Sequence, residues 1–219
     1  MKVNLLTHTP CPELVVARAA RICYSSSFPI DISLEESRKL IKRVLKRGHE
    51  SVLEHVSFTF LVEGISRAAS HQLVRHRLAS YSQQSQRYVF LGEPQYVVPP
   101  SIKADPRAKM LYEEGIKRAT KEYNQLVELG IPKEDARYLF PQAVSTSLVF
   151  TANARELLHI LRLRLCGRAQ WEIRELASLM LEQVRAIAPS IFENAGPPCI
   201  DGPCPEGEKG CGKPWKTKK

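Results

Sequence analysis

Residues 56–77 read VSFTFLVEGISRAASHQLVRHR, and the change of period inside them sets the organisation of everything around them. Over 56–63 polar and apolar side chains mostly alternate, the pattern of a half-buried strand, and Gly64 ends it. Beyond the glycine, Ile65, Ala69 and Leu73 recur every fourth position, the spacing of one helix face, and lead to Arg75.

Outward from this stretch the same two periods alternate. On the N-terminal side, Leu14, Val15, Ala19 and Ile22 predict a helix over 12–24. Ser33 with Glu36 three positions on predicts a capped helix over 33–47, with Leu40, Ile41, Val44 and Leu45 on one face and Gly48 as the stop. On the C-terminal side, 80–100 reads as loop and short strand, because Pro94, Pro99 and Pro100 limit regular structure. Asp105-Pro106 opens a long helix capped at Gly130, and a short helix follows over 133–140, stopped by Pro141. Residues 145–151 are β-branched and aromatic enough for a strand. Asn153 with Glu156 starts the next helix, and Ile173, Leu176, Ala177, Met180, Val184 and Ile187 give the last one an apolar stripe before Pro189. No internal repeat and no linker precedes the Gly-, Pro-, Cys- and Lys-rich tail, so the chain reads as one domain over 1–195 with a tail over 196–219.

A chain of 219 residues is long enough to bury roughly 70% of its unfolded surface. Its net charge of +9 predicts attraction to anions, whether nucleic acid, anionic lipid or a phosphorylated small molecule. No apolar run approaches the roughly 18 residues of a membrane span, and MKVNLLTHTP lacks a signal-peptide core, so a cytoplasmic protein without a membrane partner is expected. Cys11, Cys23, Cys166, Cys199, Cys204 and Cys211 read as reduced thiols. Three of them lie in the tail without the paired two-residue spacing of a zinc site, and no metal is expected.

The chemistry concentrates in residues 75–88, RHRLASYSQQSQRY. Arginine forks grip phosphate bidentately, while Ser and Gln supply neutral hydrogen bonds that fix orientation. On one helix Arg75 and Arg77 would point about 200° apart. Both reach one ligand only if the helix ends there or the ligand lies between subunits. Residues 49–55, HESVLEH, do not form a zinc helix, since His49 and His55 are six positions apart where four are needed.

Residues 153–164, NARELLHILRLR, carry Arg155, His159 and Arg162 on a polar face. Arg164 falls at the edge of the apolar stripe, where an unpaired guanidinium is costly. Either a carboxylate neutralises it or it serves a ligand. Arg137, preceded by Glu134 and Asp135, reads equally as a surface ion pair.

Four segments in order, the Gly-His-Glu run at 48–50, the RHR run followed after seven residues by Ser85, the 153–164 helix, and AQWEI at 169–173, resemble the flavin-dependent thymidylate synthases. The resemblance implies an α+β fold, an antiparallel sheet with several packed helices, in a homotetramer with shared active sites. It implies reductive methylation of deoxyuridine 5'-monophosphate (dUMP) to thymidylate, with methylenetetrahydrofolate as carbon donor and NADPH as reductant through FAD. Flavin contacts carry over onto His49, Ser51, Arg75, His76, Arg77, Gln83, Asn153, Ala154, Arg155 and His159. Deoxyuridylate contacts carry over onto Gln72, Leu73, Val74, Arg75, Gln83, Gln84, Ser85, Gln86, Arg87, Arg137 and Arg164, with Arg164 stabilising charge on the pyrimidine. Some members have Glu in place of Gln83 and Asn in place of His159, so those two contacts differ in charge and hydrogen bonding. The family manages without an enzyme cysteine as nucleophile, and none is assigned to Cys166.

Two rival classes remain: a nucleic-acid-binding module, motivated by the charge and the RHR helix, and a flavoprotein of other specificity. Against the first, the lysines are scattered and no exposed aromatic platform is expected beside them.

Overall fold

A computed structural model describes residues 1–26 and 31–215. Four strands, β1 (Lys2–His8), β2 (Ser57–Ser66), β3 (Ala79–Gln83) and β4 (Ser145–Asn153), form one antiparallel sheet in the order β1-β2-β4-β3. The helices among the described residues are α1 (Pro12–Ile22), α2 (Leu34–Lys46), α3 (Arg67–Leu73), α4 (Pro100–Lys103), α5 (Pro106–Glu128), α6 (Lys133–Ala136), α7 (Ala154–Arg164), α8 (Trp171–Ile187) and α9 (Pro189–Phe192). The fold is therefore α+β, as the resemblance implies.

The chain packs as two compact units interleaved along the sequence. The first comprises Met1–Lys2, Val62–Val74 and Tyr81–Val149; the second comprises Val3–Leu61, Arg75–Ser80 and Phe150 onward, tail included.

In the first unit, α5 brings the fully buried Tyr123 against Phe140, with ring centroids 4.4 Å apart, and Phe90, at 5.8 Å. Asp105 caps α5 by accepting from the N–H groups of Arg107 and Ala108 at 2.8 and 3.2 Å, and Gly130 ends it in the left-handed region at φ 84°. The start of α3 is tied to the loop before β4, because the N–H groups of Arg67 and Ala68 donate to the carbonyls of Val144 and Gln142.

In the second unit, Phe58, Phe60, Phe150 and Phe192 are fully buried, each worth about 1.5–3 kcal/mol of transfer free energy. The stripe of α8 is buried at Ile173, Leu176, Ala177, Met180 and Val184, while Ile187 is half-exposed. The capping box of α2 is present, with Ser33 accepting from Glu36 N–H at 3.2 Å and the Glu36 carboxylate accepting from Ser33 N–H at 3.0 Å. Buried Glu13 accepts from Arg38 Nε at 2.8 Å and from the N–H of Ser190 at 2.7 Å, which ties α1 to α2 and α9.

Two expectations need correction, and one strand was not expected. Gly64 does not end the strand: β2 accommodates it at φ 71° and continues to Ser66, so buried Ile65 belongs to the sheet rather than to the helix. Pro100 starts a short helix instead of limiting structure, and Pro189, before which α8 ends as expected, starts another, because proline at the first helical position forfeits only an N–H that has no partner there. Residues 2–8 form β1, which the sequence reading left unassigned; its burial is shallow and its two leucines adjacent, so no clean alternation announces it. The predicted short helix over 133–140 is α6 followed by a 3-10 turn, Arg137–Leu139. The lysine-rich end of the tail, at 216–219, lies outside the described residues.

Candidate functional site

Helix α3 stops at Leu73 because the chain turns at Val74, so Arg75, His76 and Arg77 leave the helix before the 200° problem arises. Arg75 and Arg77 are exposed and His76 is 4% exposed. The middle residue of the motif is thus an inward one.

His76 sits within a cluster of the second unit. Its Nε2 accepts from Arg164 Nε at 2.9 Å, its Nδ1 lies 3.7 Å from Glu156 Oε1, and its ring meets that of His159 edge-on, centroids 5.8 Å apart. Burial, then the neighbouring Arg164 and His159, push the imidazole down from 6.5 to about 4, so it is neutral at physiological pH. Burial likewise raises the Glu156 carboxyl above the usual carboxylate range. Arg164, left by its sequence position between an ion pair and a ligand, is half-buried and held on its Nε edge by a neutral imidazole.

Helix α7 presents this cluster. Asn153 caps it by accepting from Glu156 N–H at 2.8 Å, and the Ala154 N–H donates to the carbonyl of Val56 at 2.9 Å, which fixes the helix start beside the beginning of β2. Ala154 itself is fully buried. Asn153, Arg155, Glu156, Leu158, His159 and Arg162 line a cleft of about 770 Å³, joined by Leu78 and residues 194–196. Arg155 is exposed and pairs with Glu54 at 2.5 Å and Glu50 at 3.7 Å; the hydrogen bond and charge of Glu54 hold its guanidinium above the usual range. Ser51 and His49 are exposed, and His49 lines a different cleft with Arg43 and Arg47. Arg164 lines a further cleft, of about 710 Å³, with Arg162, Arg168 and four cysteines, Cys166, Cys199, Cys204 and Cys211. All six cysteines are free thiols, and no group of three or more candidate ligands converges as a metal site among the described residues.

The first unit holds the other predicted residues. Gln83 Nε2 donates to Ser70 Oγ at 3.0 Å and Thr146 Oγ1 at 3.3 Å, and the Gln84 N–H donates to the carbonyl of Ser147, so the segment after RHR is anchored to β4 and α3. Leu73 is buried and its carbonyl accepts from Tyr81 Oη at 2.9 Å, while Val74 is exposed and Gln72 half-exposed. Ser85 and Gln86 are half-exposed, and Ser85 Oγ accepts from the Arg87 N–H at 3.2 Å. Glu134 joins the two arginines expected to bind phosphate: its carboxylate takes Arg87 Nε at 2.6 Å and its carbonyl accepts from Arg137 Nε at 3.0 Å. The ion pair foreseen for Arg137 is therefore made by Arg87 instead.

Two residues of interest escaped the sequence reading. Arg67 is half-buried, and desolvation together with nearby Arg137 depresses its guanidinium below the usual range. Glu156 read only as a helix-start residue. Tyr88 and Tyr138, sequence neighbours of Arg87 and Arg137, are 75% and 83% exposed. Burial of single aromatics in a loop-rich segment has no period from which it can be read.

Two asparagines, two arginines, a histidine, four carboxylates and apolar side chains line this cleft, Glu50 and Glu54 being paired with Arg155, and its volume falls in the range of cofactor sites, about 300–1,000 Å³. The model of the family described as thymidylate synthase complementing protein matches residues 4–190. Over 100% of this chain and 97% of its own length, a flavin-dependent thymidylate synthase of Geobacter sulfurreducens is 52% identical. One of Clostridium tetani is 46% identical over 100% of this chain and 96% of its own, and one of Thermococcus kodakarensis is 45% identical over 99% and 97%. With matches of this extent and identity, the chain belongs to the thymidylate synthase complementing protein family.

Proposed function

We propose that this chain is a flavin-dependent thymidylate synthase that converts dUMP to thymidylate, with methylenetetrahydrofolate as carbon donor and NADPH as reductant through FAD. The observation that carries the reading is the gathering of Asn153, Arg155 and His159 around one cleft whose wall includes Glu156, the neighbour of the buried His76. When bound, FAD supplies the hydride transfer; the chain's own residues bind, orient and exclude water. Arg155 and Arg162 offer charge to the cofactor's phosphates, and Asn153 and His159 offer hydrogen bonds. The ion pairs of Arg155 with Glu50 and Glu54 are exposed and screened by solvent, so an anionic ligand displaces them at small cost. Exposed Arg75 and Arg77 are free to turn to a ligand, and His49, Ser51 and the backbone at Ala154 complete the flavin set.

For dUMP, Arg87, Arg137 and Ser85 are assigned to the phosphate, with Gln72, Leu73, Val74, Gln83, Gln84 and Gln86 framing it. Arg164 is assigned to the pyrimidine, where negative charge accumulates as the one-carbon unit and the hydride are added. A fixed guanidinium in a site shielded from water stabilises that charge without reorganisation. The homotetramer with shared sites is part of the same proposal, supported by large apolar side chains exposed on the single chain: Leu78 at 77%, Leu111 at 71%, Tyr88 and Tyr138. Residues 1–195 are taken as the synthase domain and 196–219 as an appended tail, in keeping with a family match that ends at residue 190. No helix among the described residues is long and apolar enough to cross a membrane, which accords with a cytoplasmic enzyme.

The test is Arg164→Ala. The variant should retain FAD and accept electrons from NADPH, yet lose thymidylate formation by about 10² to 10³, the cost of one such electrostatic donor. Arg164→Lys should restore activity only in part, since the planar fork is gone. Flavin reduction and thymidylate formation are assayed on one preparation; equal loss of both, or loss of neither, would remove Arg164 from the reaction.

A further inference from the structure

Helix α2 places its cations in two kinds of surroundings. Where it meets other elements of the second unit, Arg38 pairs with buried Glu13 at 2.8 Å and Lys42 pairs with Glu193 at 2.8 Å. Its Lys39, Arg43 and Arg47 line instead a cleft of about 390 Å³, joined by Arg21, Tyr24 and His49. Among the described residues Arg43 and Arg47 meet no carboxylate within ion-pair distance, and Lys39 meets only the exposed Glu35 of its own helix. Glu36, the one acidic side chain lining the cleft among the described residues, is already engaged: its carboxylate accepts from the N–H and the hydroxyl of Ser33, each at 3.0 Å. Like charges gathered on a concave wall raise its potential and draw anions to it.

The spacing of the charges selects the kind of anion. Lys39, Arg43 and Arg47 follow one another at intervals of four, so each stands about 6 Å further along α2 and about 40° around it. They form a ladder rather than a point on which several forks converge. A single phosphate is held by convergence, whereas a ladder suits a linear chain of carboxylates with a matching repeat. A γ-linked glutamate chain has that repeat: each unit adds two methylene groups to the ordinary spacing of ~3.8 Å and sets its free α-carboxylates ~6 Å apart. Position agrees with spacing. His49 lines this cleft and the next residue, Glu50, lines the cleft assigned to the flavin, so the two adjoin at that peptide.

We propose that the cleft of Arg21, Lys39, Arg43 and Arg47 binds the poly-γ-glutamate tail of the folate co-substrate, successive α-carboxylates meeting successive cations of α2. The inference rests on the reading of the chain as a folate-dependent thymidylate synthase. Tyr24, 68% exposed on the same wall, offers the methylene groups of the tail an apolar surface. Cations in the last turn of a helix also stabilise it by facing its C-terminal dipole. If that were the whole role of Arg43 and Arg47, their loss would lower the melting temperature and leave substrate binding alone.

The experiment compares methylenetetrahydrofolate bearing one and five glutamates, on the FAD-loaded wild type and on the double variant Arg43→Gln/Arg47→Gln. KM is measured in thymidylate formation, and affinity by equilibrium dialysis without NADPH, which needs no turnover. The wild type should bind the pentaglutamate about 10-fold more tightly, the scale of a few exposed ion pairs acting together, and the advantage should shrink in high salt. In the double variant the advantage should vanish, while kcat and the KM values for dUMP and the monoglutamate stay at wild-type levels. Equal affinity of the wild type for both folates at low salt would overturn the proposal and leave the synthase reading standing. A double variant that keeps the advantage would overturn it as well. So would one that loses affinity for NADPH instead, an outcome that gives the cleft to the 2'-phosphate of the nicotinamide co-substrate. A wild type that forms no thymidylate from either folate would overturn the reading beneath the proposal, and dialysis would then decide the tail site by itself.

Discussion

His76 shows at the scale of one residue how a motif that reads as surface charge conceals a buried group. Nothing in the letters R-H-R distinguishes its middle member; the chain's turn at Val74 does, and a turn without Gly or Pro leaves little trace in a sequence. The burial has a measurable consequence. As pH falls below 6.5 the unfolded chain takes up a proton that folded His76 resists until about 4, so stability is lost across that window. Glu156 opposes this: its folded carboxyl is raised, so the folded state gains stability as pH falls through that range toward 4.5. Between pH 7 and 5 the melting temperature should therefore fall less steeply in His76→Gln than in the wild type, and more steeply in Glu156→Gln. Scanning calorimetry at matched ionic strength decides it; parallel curves for all three proteins would mean that these groups do not titrate as their surroundings require. Arg164 was legible as out of place on an apolar stripe, but its partner, 88 positions away, was not.

Elements with local signals were the readable ones. Ser33-Glu36, Asp105-Pro106 with Gly130, and Asn153 announced their helices because each is satisfied within a turn or so of chain, and each cap is present as a hydrogen bond. The elements that escaped lack an unambiguous local signal: β1 exists because β2 lies beside it, and α4 and α9 begin at a proline, which starts a helix as readily as it stops one. These two helix caps, Ser33 and Asn153, separate structure from function. Ser33→Ala and Asn153→Ala should each cost about 0.5–2 kcal/mol in urea denaturation. Only Asn153→Ala should also weaken FAD retention, since its side chain lines the cleft and its bond to Glu156 N–H sets the first turn of α7. Equal flavin content in both variants would confine Asn153 to capping.

At the scale of the whole molecule, the proposed sharing of sites between subunits makes a prediction no single chain can satisfy. Arg87→Ala and Arg164→Ala fall in different compact units and are each expected to be inactive. When unfolded and refolded together they should recover part of the wild-type activity, because some mixed assemblies contain an intact site. Recovery absent from mixtures, or an active monomer in light scattering, would refute shared sites. That two units are present at all was hidden from the sequence: their boundaries fall inside β1, β2, β3 and β4 and in the turn between Val74 and Arg75, where no linker, glycine run or change of composition marks them.

The closing contacts of the second unit join the two ends of the chain. Glu13 accepts from the N–H of Ser190 across 177 positions, and Gln183 bonds both to the Leu5 N–H and to the Val3 carbonyl across about the same span. Ribosomal synthesis delivers α1 and α2 long before the residues that cover them. At about 5–20 residues per second, the buried faces of Val16, Ile41 and Val44 wait on the order of ten seconds or more for α8 and α9 to emerge. The nascent N-terminal third therefore keeps apolar surface uncovered through most of elongation, and this unit closes only once α8 and α9 have emerged.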